Sequence, residues 1–361
     1  MAAMHRRAYV TLIGVAGVMG ALAVTVSVIY DRPLLDPEGS FLGPTWLRLP
    51  LLLLGALLLD LLPRTLWYSR LKPSAMPPLV RERLRTHWSR ERLTLVALGV
   101  ICFYITYVSY RNLKSALPFV RDFTDDSQMF DRELFAVDRV LFFGHEPGPF
   151  LHDLLGTHVA AWGLSYIYLW FLPLVPLALT AWLVWSRNIS FGYWFATSQA
   201  IAWSLGTLSY YLLPTLGPVF YFNAGYSDLA HTPTTDLIAS LKRSREAVLY
   251  GDYNGVEVLG TVNSVAGFAS LHVAITLLVA LMVQFTLRNK VIKVVFWVNF
   301  GLTVVATLYF GWHYVADDIA GVMIAFTAFY LGGVATGQRF DRYGTSTHPT
   351  TTTSKVPVDV D

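Results

Sequence analysis

Apolar runs of membrane-spanning length constrain this chain more than any other feature. A helix rises about 1.5 Å per residue, so about 20 apolar residues cross a hydrocarbon core of about 30 Å. Eight stretches qualify: 8–30, 45–63, 93–110, 158–186, 191–213, 270–287, 291–311 and 313–334. The second holds Arg48 and Asp60 near its ends, and Pro173 and Pro176 are expected to kink the long fourth one. Only 14% of the residues are charged, against 54% hydrophobic. A soluble domain carries roughly 25% charged residues, so most of this surface is expected to face lipid. The expected class is an all-α polytopic membrane protein with about eight transmembrane helices.

Basic residues fix the expected orientation, because loops rich in Lys and Arg stay in the cytoplasm. "HRR" near the N-terminus, eight Lys and Arg in loop 64–92, "RNKVIK" at 288–293, and Arg339 with Arg342 all belong inside. The acidic loop 31–44 and the two long loops 111–157 and 214–269 then lie outside, with both termini cytoplasmic. The 23 uncharged residues of the first run are long for the core of a signal peptide, and they read as an uncleaved anchor. The expected location is the plasma membrane, a bacterial inner membrane given the basic internal loops. The net charge of +3 is scattered, which gives no basis for nucleic-acid binding. The single cysteine, Cys102, excludes an intrachain disulfide and a cysteine metal site. The Thr- and Ser-rich tail 344–361 has no apolar face and is expected to be disordered.

Chemistry is expected at one end of the bundle. His272 stands at the outer end of the sixth run, and His313 follows 41 residues later. One crossing inward and one back take about 40 residues, so both histidines fall at the outer face. Asp317 is four residues after His313 and shares its face if the segment is helical. A carboxylate there fixes which imidazole nitrogen is free, as nucleophilic or general-base chemistry requires. Two plainer readings stand beside this one: an inert interfacial histidine, and aspartates that serve only as N-terminal helix charges. Ionisable groups at membrane depth are usually functional, which favours a site. A metal centre of two His and one Asp is an alternative, but no further ligand cluster accompanies them.

"ASLH" at 269–272 and "HYVAD" at 313–317 resemble the last two signature motifs of the type-2 phosphatidic acid phosphatase superfamily. The resemblance implies that His313 attacks phosphorus, Asp317 orients it, His272 protonates the leaving oxygen and Ser270 donates a hydrogen bond to the phosphate. It implies a phosphohistidine intermediate and no metal or other cofactor. The sequence departs from the usual pattern: Ala306 and Thr307 stand where a Ser-Arg pair is expected, and the first motif has no match. The Ser-Leu-His and His-Tyr-x2-Asp forms resemble the inositol phosphorylceramide synthase-like branch. "YYLLPTLGPVFY" at 210–221 and "DRVLFFGHEP" at 138–147 also resemble segments of that branch. The implied organisation is two N-terminal helices with a basic cytoplasmic loop over 1–92, a six-helix catalytic core over 93–335, and a cytoplasmic tail over 336–361.

With the motif arginine missing, other cations must neutralise a phosphoryl group in transit. Arg111 and Lys114 in "YRNLK" and Arg245 in "LKRSRE" are the candidates; a snorkelling role for Arg111 and a solvated loop for the second cluster are the plain alternatives. The expected function is a lipid phosphotransferase with a lipid-phosphate or phospholipid donor and an alcohol or sugar acceptor. A phosphatase using water is the first alternative, and a non-catalytic lipid-binding or transport protein on the same fold is the second. The sequence sets no oligomeric state.

Overall fold

The computed structural model describes residues 2–36, 45–121, 128–222, 225–250, 265–338 and 340. The tail 344–361, Arg339, Arg342 and the Arg48 side chain lie outside the described residues. The described chain is α-helical: α1 (Ala2–Ile29), α2 (Thr45–Ser69), α3 (Met76–Thr86), α4 (Arg90–Val120), α5 (Asp131–Leu141), α6 (Pro147–Leu155), α7 (Val159–Leu169), α8 (Phe171–Thr180), α9 (Ile189–Leu212), α10 (Pro218–Tyr221), α11 (Pro233–Tyr250), α12 (Leu271–Thr286), α13 (Lys290–Tyr309) and α14 (Val315–Ala335). Five segments are long and apolar enough to cross a membrane: Tyr9–Ile29, α4, Val159–Trp185, α13 and α14. This is an all-α polytopic membrane protein.

The fourth run spans as expected but is irregular, and the sixth and fifth differ for physical reasons. The fourth run breaks at Trp170 into α7 and α8, and a π-helical turn over Ala181–Trp185 ends it. Pro173 lacks the N–H that would bond back to residue 169, which matches the break. Buried Arg92 donates to the carbonyls of Leu183 (2.9 Å) and Ser186 (2.5 Å) and so closes that turn. α12 is apolar but only 16 residues long. α9 has 24 residues, yet Ser190, Thr197, Ser198, Gln199 and Thr207 on it are all buried.

α9 is the axis of the molecule, with α1, α4, α12 and α14 packed against it. Small residues allow close approach, as is usual between membrane helices. A side chain at Gly332 would meet Ser198 Oγ at 2.2 Å, and one at Gly206 would meet Leu271 at 2.5 Å. Trp194 Nε1 donates to the Phe329 carbonyl at 2.9 Å, joining α9 to α14 inside the core. α1 contributes Leu12, Ala16, Met19 and Ala23 to this same core.

The expected third span ends at residue 110, but α4 continues to Val120. Polar "YRNLK" does not stop the helix because its groups find partners. Asn112 donates to the Leu35 carbonyl and accepts from the Leu35 N–H, while Arg111 and Lys114 lie over tyrosine rings. The long loops 111–157 and 214–269 also contain helices, namely α5, α6, α10 and α11.

Candidate active site

Two helix N-termini meet at the site. Ser270 caps α12, its hydroxyl accepting from the Val273 N–H at 3.4 Å. Asp317 caps α14, its Oδ2 accepting from the Tyr314 N–H at 3.0 Å. The Ser270 N–H donates to the backbone carbonyl of Asp317 at 3.0 Å and ties the two ends together. Gly321 permits this crossing, since a Cβ there would lie 2.5 Å from the Ser270 carbonyl.

His313 lies two residues before α14, and its Nδ1 is 3.3 Å from Asp317 Oδ2. Asp317 is fully buried and His313 is 7% exposed. The Asp317 carboxylate and the backbone of Gly267 both face this ring and orient it. His272, in the first turn of α12, is half-buried. Its ring lies between Tyr168 (4.3 Å, 15° between planes) and Phe171 (4.1 Å), and 6.5 Å from the His313 ring. Trp312 stacks on the other face of Tyr168 at 5.0 Å, so the plane of His272 is fixed by rings from α7 and α8.

The candidate cations fare differently. Lys114 Nζ stands 5.4 Å from the Tyr210 ring centre and 5.9 Å from that of Tyr110, within cation–π range. It is also close enough to act electrostatically on both His272 and His313. Arg111, three residues earlier, lies over Tyr107 at 5.9 Å and acts on Lys114. Arg245 is half-buried on α11, the helix that packs on α7. Ser270 is fully buried, with its hydroxyl at the helix cap and facing Asp318. Among the described residues, no group of three His, Cys, Asp or Glu is placed to hold a metal ion.

Sequence reasoning missed the supports of this site. Asp131 on α5, fully buried, accepts from the N–H groups of Leu216 and Gly217 (3.0 Å each) and from the Tyr314 hydroxyl (2.9 Å). Two turns later Asp138 accepts from the Val315 N–H at 3.1 Å. α5 therefore grips both the "PTLGP" turn and the start of α14 that carries His313. Thr215 in that turn holds the segment before α12: its carbonyl accepts from Gly267 N–H at 2.7 Å and its hydroxyl from Phe268 N–H at 2.8 Å. Gly217 has φ +91°, and a side chain there would reach 2.2 Å from the Trp312 carbonyl. His152 Nε2 lies 2.8 Å from the Tyr309 carbonyl, a contact it makes only as donor, and Asp228 is 3.5 Å from its Nδ1.

Fold and site together define a membrane-embedded protein with a carboxylate-held imidazole facing a second imidazole at one end of the helix bundle. A family model described as the PAP2 superfamily matches residues 132–331, more than half of the chain. The chain belongs to the PAP2 superfamily, and that membership suggests a phosphatase-type membrane enzyme acting on lipids. No curated protein and no solved structure matches the chain.

Proposed function

We propose that the protein is a lipid phosphotransferase acting at the extracytoplasmic face through a phosphohistidine. The observation behind this reading is the oriented pair, His313 Nδ1 3.3 Å from Asp317, with His272 facing it at 6.5 Å between ring centres. On this reading the phosphoryl group sits against both rings, with His313 on one side and the leaving oxygen, beside His272, on the other. In the first step Nε2 attacks phosphorus, the Nδ1 proton stays on the Asp317 hydrogen bond, and protonated His272 gives its proton to the departing alkoxide. In the second step neutral His272 takes the proton of an acceptor hydroxyl, which displaces His313. Lys114 supplies positive charge in place of the arginine absent at Thr307, and Arg111 reinforces it from the outer end of α4. The Ser-Leu-His and His-Tyr-x2-Asp forms support an alcohol acceptor of the inositol-phosphoryl-transfer kind; water as acceptor makes the same chemistry a phosphatase.

The test gives purified protein and His313→Ala a panel of lipid phosphates and phosphatidylinositol, with and without inositol, a sugar or a lipid alcohol. Products are read by mass spectrometry. A new phosphodiester that needs both the acceptor and His313 is the expected result. Free phosphate from wild type regardless of acceptor would make it a phosphatase. Unchanged product from His313→Ala would reject the mechanism. Added chelator is expected to leave turnover unaltered, and strong inhibition would revive a metal centre.

A further inference from the structure

α12 and α13 form a hairpin closed by Leu287, Arg288 and Asn289. At this closed end Lys290, Lys293, Val294, Trp297 and Val298 of α13 line a groove of about 480 Å³ with Gln284 of α12. Their spacing keeps the five α13 residues on one helical face. That face is graded. Both lysines lie in the first turn, and the next two turns are apolar, with Val294 60% and Val298 53% exposed. Trp297 Nε1 lies 3.4 Å from Gln284 Oε1, which links the two walls. Among the described residues neither lysine has an ion-pair partner, and the sequence holds no Asp or Glu between Glu257 and Asp317. Of the described membrane-crossing segments, α13 is the least covered by other helices, so the groove opens onto the bilayer.

We propose that this groove binds one anionic phospholipid, its phosphate against Lys290 and Lys293 and an acyl chain along Val294, Trp297 and Val298. The cations stand at the helix end, where a bilayer places headgroups. The apolar residues lie deeper by about 1.5 Å per residue, where it places acyl chains. Two lysines without an acidic neighbour complement a net negative headgroup, and basic pockets between membrane helices suit such lipids. The groove volume falls within the roughly 300–1,000 Å³ of small-molecule sites. Gln284 lies twelve residues beyond His272 on α12, about 18 Å along the helix axis. The lipid is therefore held away from the histidines and is not their donor, so the site stands or falls apart from phosphoryl transfer.

The experiment uses the full-length protein in detergent with added phosphatidylglycerol or phosphatidylcholine of matched acyl chains, and counts retained lipids by native mass spectrometry. Wild type is expected to retain one phosphatidylglycerol in preference to phosphatidylcholine. Lys290→Gln/Lys293→Gln should weaken that binding roughly 30-fold, the effect of two lysines at a membrane surface. Val298→Trp, which fills the groove and keeps both lysines, should weaken it as well. Arg81→Gln/Arg85→Gln, on exposed α3, should leave it unchanged. Thermal unfolding should agree, with phosphatidylglycerol raising the Tm of wild type but not that of the lysine variant, whose Tm in phosphatidylcholine should match wild type. Equal retention of the two lipids by wild type overturns the site, as does unchanged binding in the lysine variant or in Val298→Trp. An equal loss in the α3 variant would assign the binding to surface charge in general and overturn it too. Displacement of the lipid by soluble glycerophosphoglycerol at equal concentration would leave the groove without a role, with the same result.

Discussion

At the scale of single residues, the site separates orientation from chemistry. Asp317 Oδ2 is shared between the Tyr314 N–H and His313 Nδ1, so one carboxylate both caps a helix and holds an imidazole. His313→Ala is expected to abolish product. Asp317→Asn should lower kcat by about 10²–10⁴-fold, since the amide no longer enforces the correct tautomer. His272→Ala should be strongly impaired on alkyl donors, but on a p-nitrophenyl phosphodiester, whose leaving group needs no proton, it should still release a stoichiometric burst of p-nitrophenolate before the second step stalls. Absence of that burst would remove His272 from the proposed role of general acid. Span length brought His272 and His313 to one end of the bundle without knowledge of the fold; the contact between His313 and Asp317 was expected from helical periodicity, but His313 precedes α14 and Asp317 reaches back to it from the first turn. Asp318 was not legible. From sequence it is one more charge at a helix start, and its buried hydrogen bond to Thr307, eleven residues earlier on another helix, is visible only in the structure.

At the scale of elements, α5 sets the position of the site without touching the reacting groups. Burial, the largest influence, pushes the Asp131 carboxyl up to about 6 and that of Asp138 up to about 7. Both groups have an ordinary value of 3.8, so folding takes up protons between that value and the raised ones. Their contribution to stability is therefore complete below about pH 4 and lost as the pH rises through 6 and 7. Thermal unfolding in detergent should show wild type losing stability between pH 5 and 8, with a shallower slope in Asp138→Asn. Identical slopes in the two proteins would contradict the assignment. None of this was readable in 111–157, which looks like a long external loop. The two aspartates lie seven residues apart, a helical repeat that brings them to one face, but the N–H groups they accept come from residues 216, 217 and 315. Only long-range contact reveals the partners. The break at Trp170 was easier to foresee, because Pro173 and Pro176 announce it.

For the whole molecule, the sequence conveyed the all-α membrane class through its apolar runs, while the count of spans was less secure. α9 shows why: a helix surrounded by other helices tolerates Ser, Thr and Gln on every side, so hydropathy understates it. Orientation is open to direct measurement because the lone cysteine, Cys102, is buried and gives little labelling background. In intact cells, a membrane-impermeant maleimide should modify His145→Cys, in the exposed turn before α6, and spare Arg81→Cys on exposed α3. The opposite pattern would invert the proposed topology.

The shortness of α12 has a kinetic consequence. Sixteen residues of helix span about 24 Å, less than the roughly 30 Å of hydrocarbon, and His272 sits in the first turn. On the function proposed above, a donor lipid would meet the histidines by diffusing sideways within its leaflet, without being lifted into water. Turnover should follow the mole fraction of donor in the bilayer, falling when inert lipid is added at constant donor amount and holding steady when the whole suspension is merely diluted with buffer.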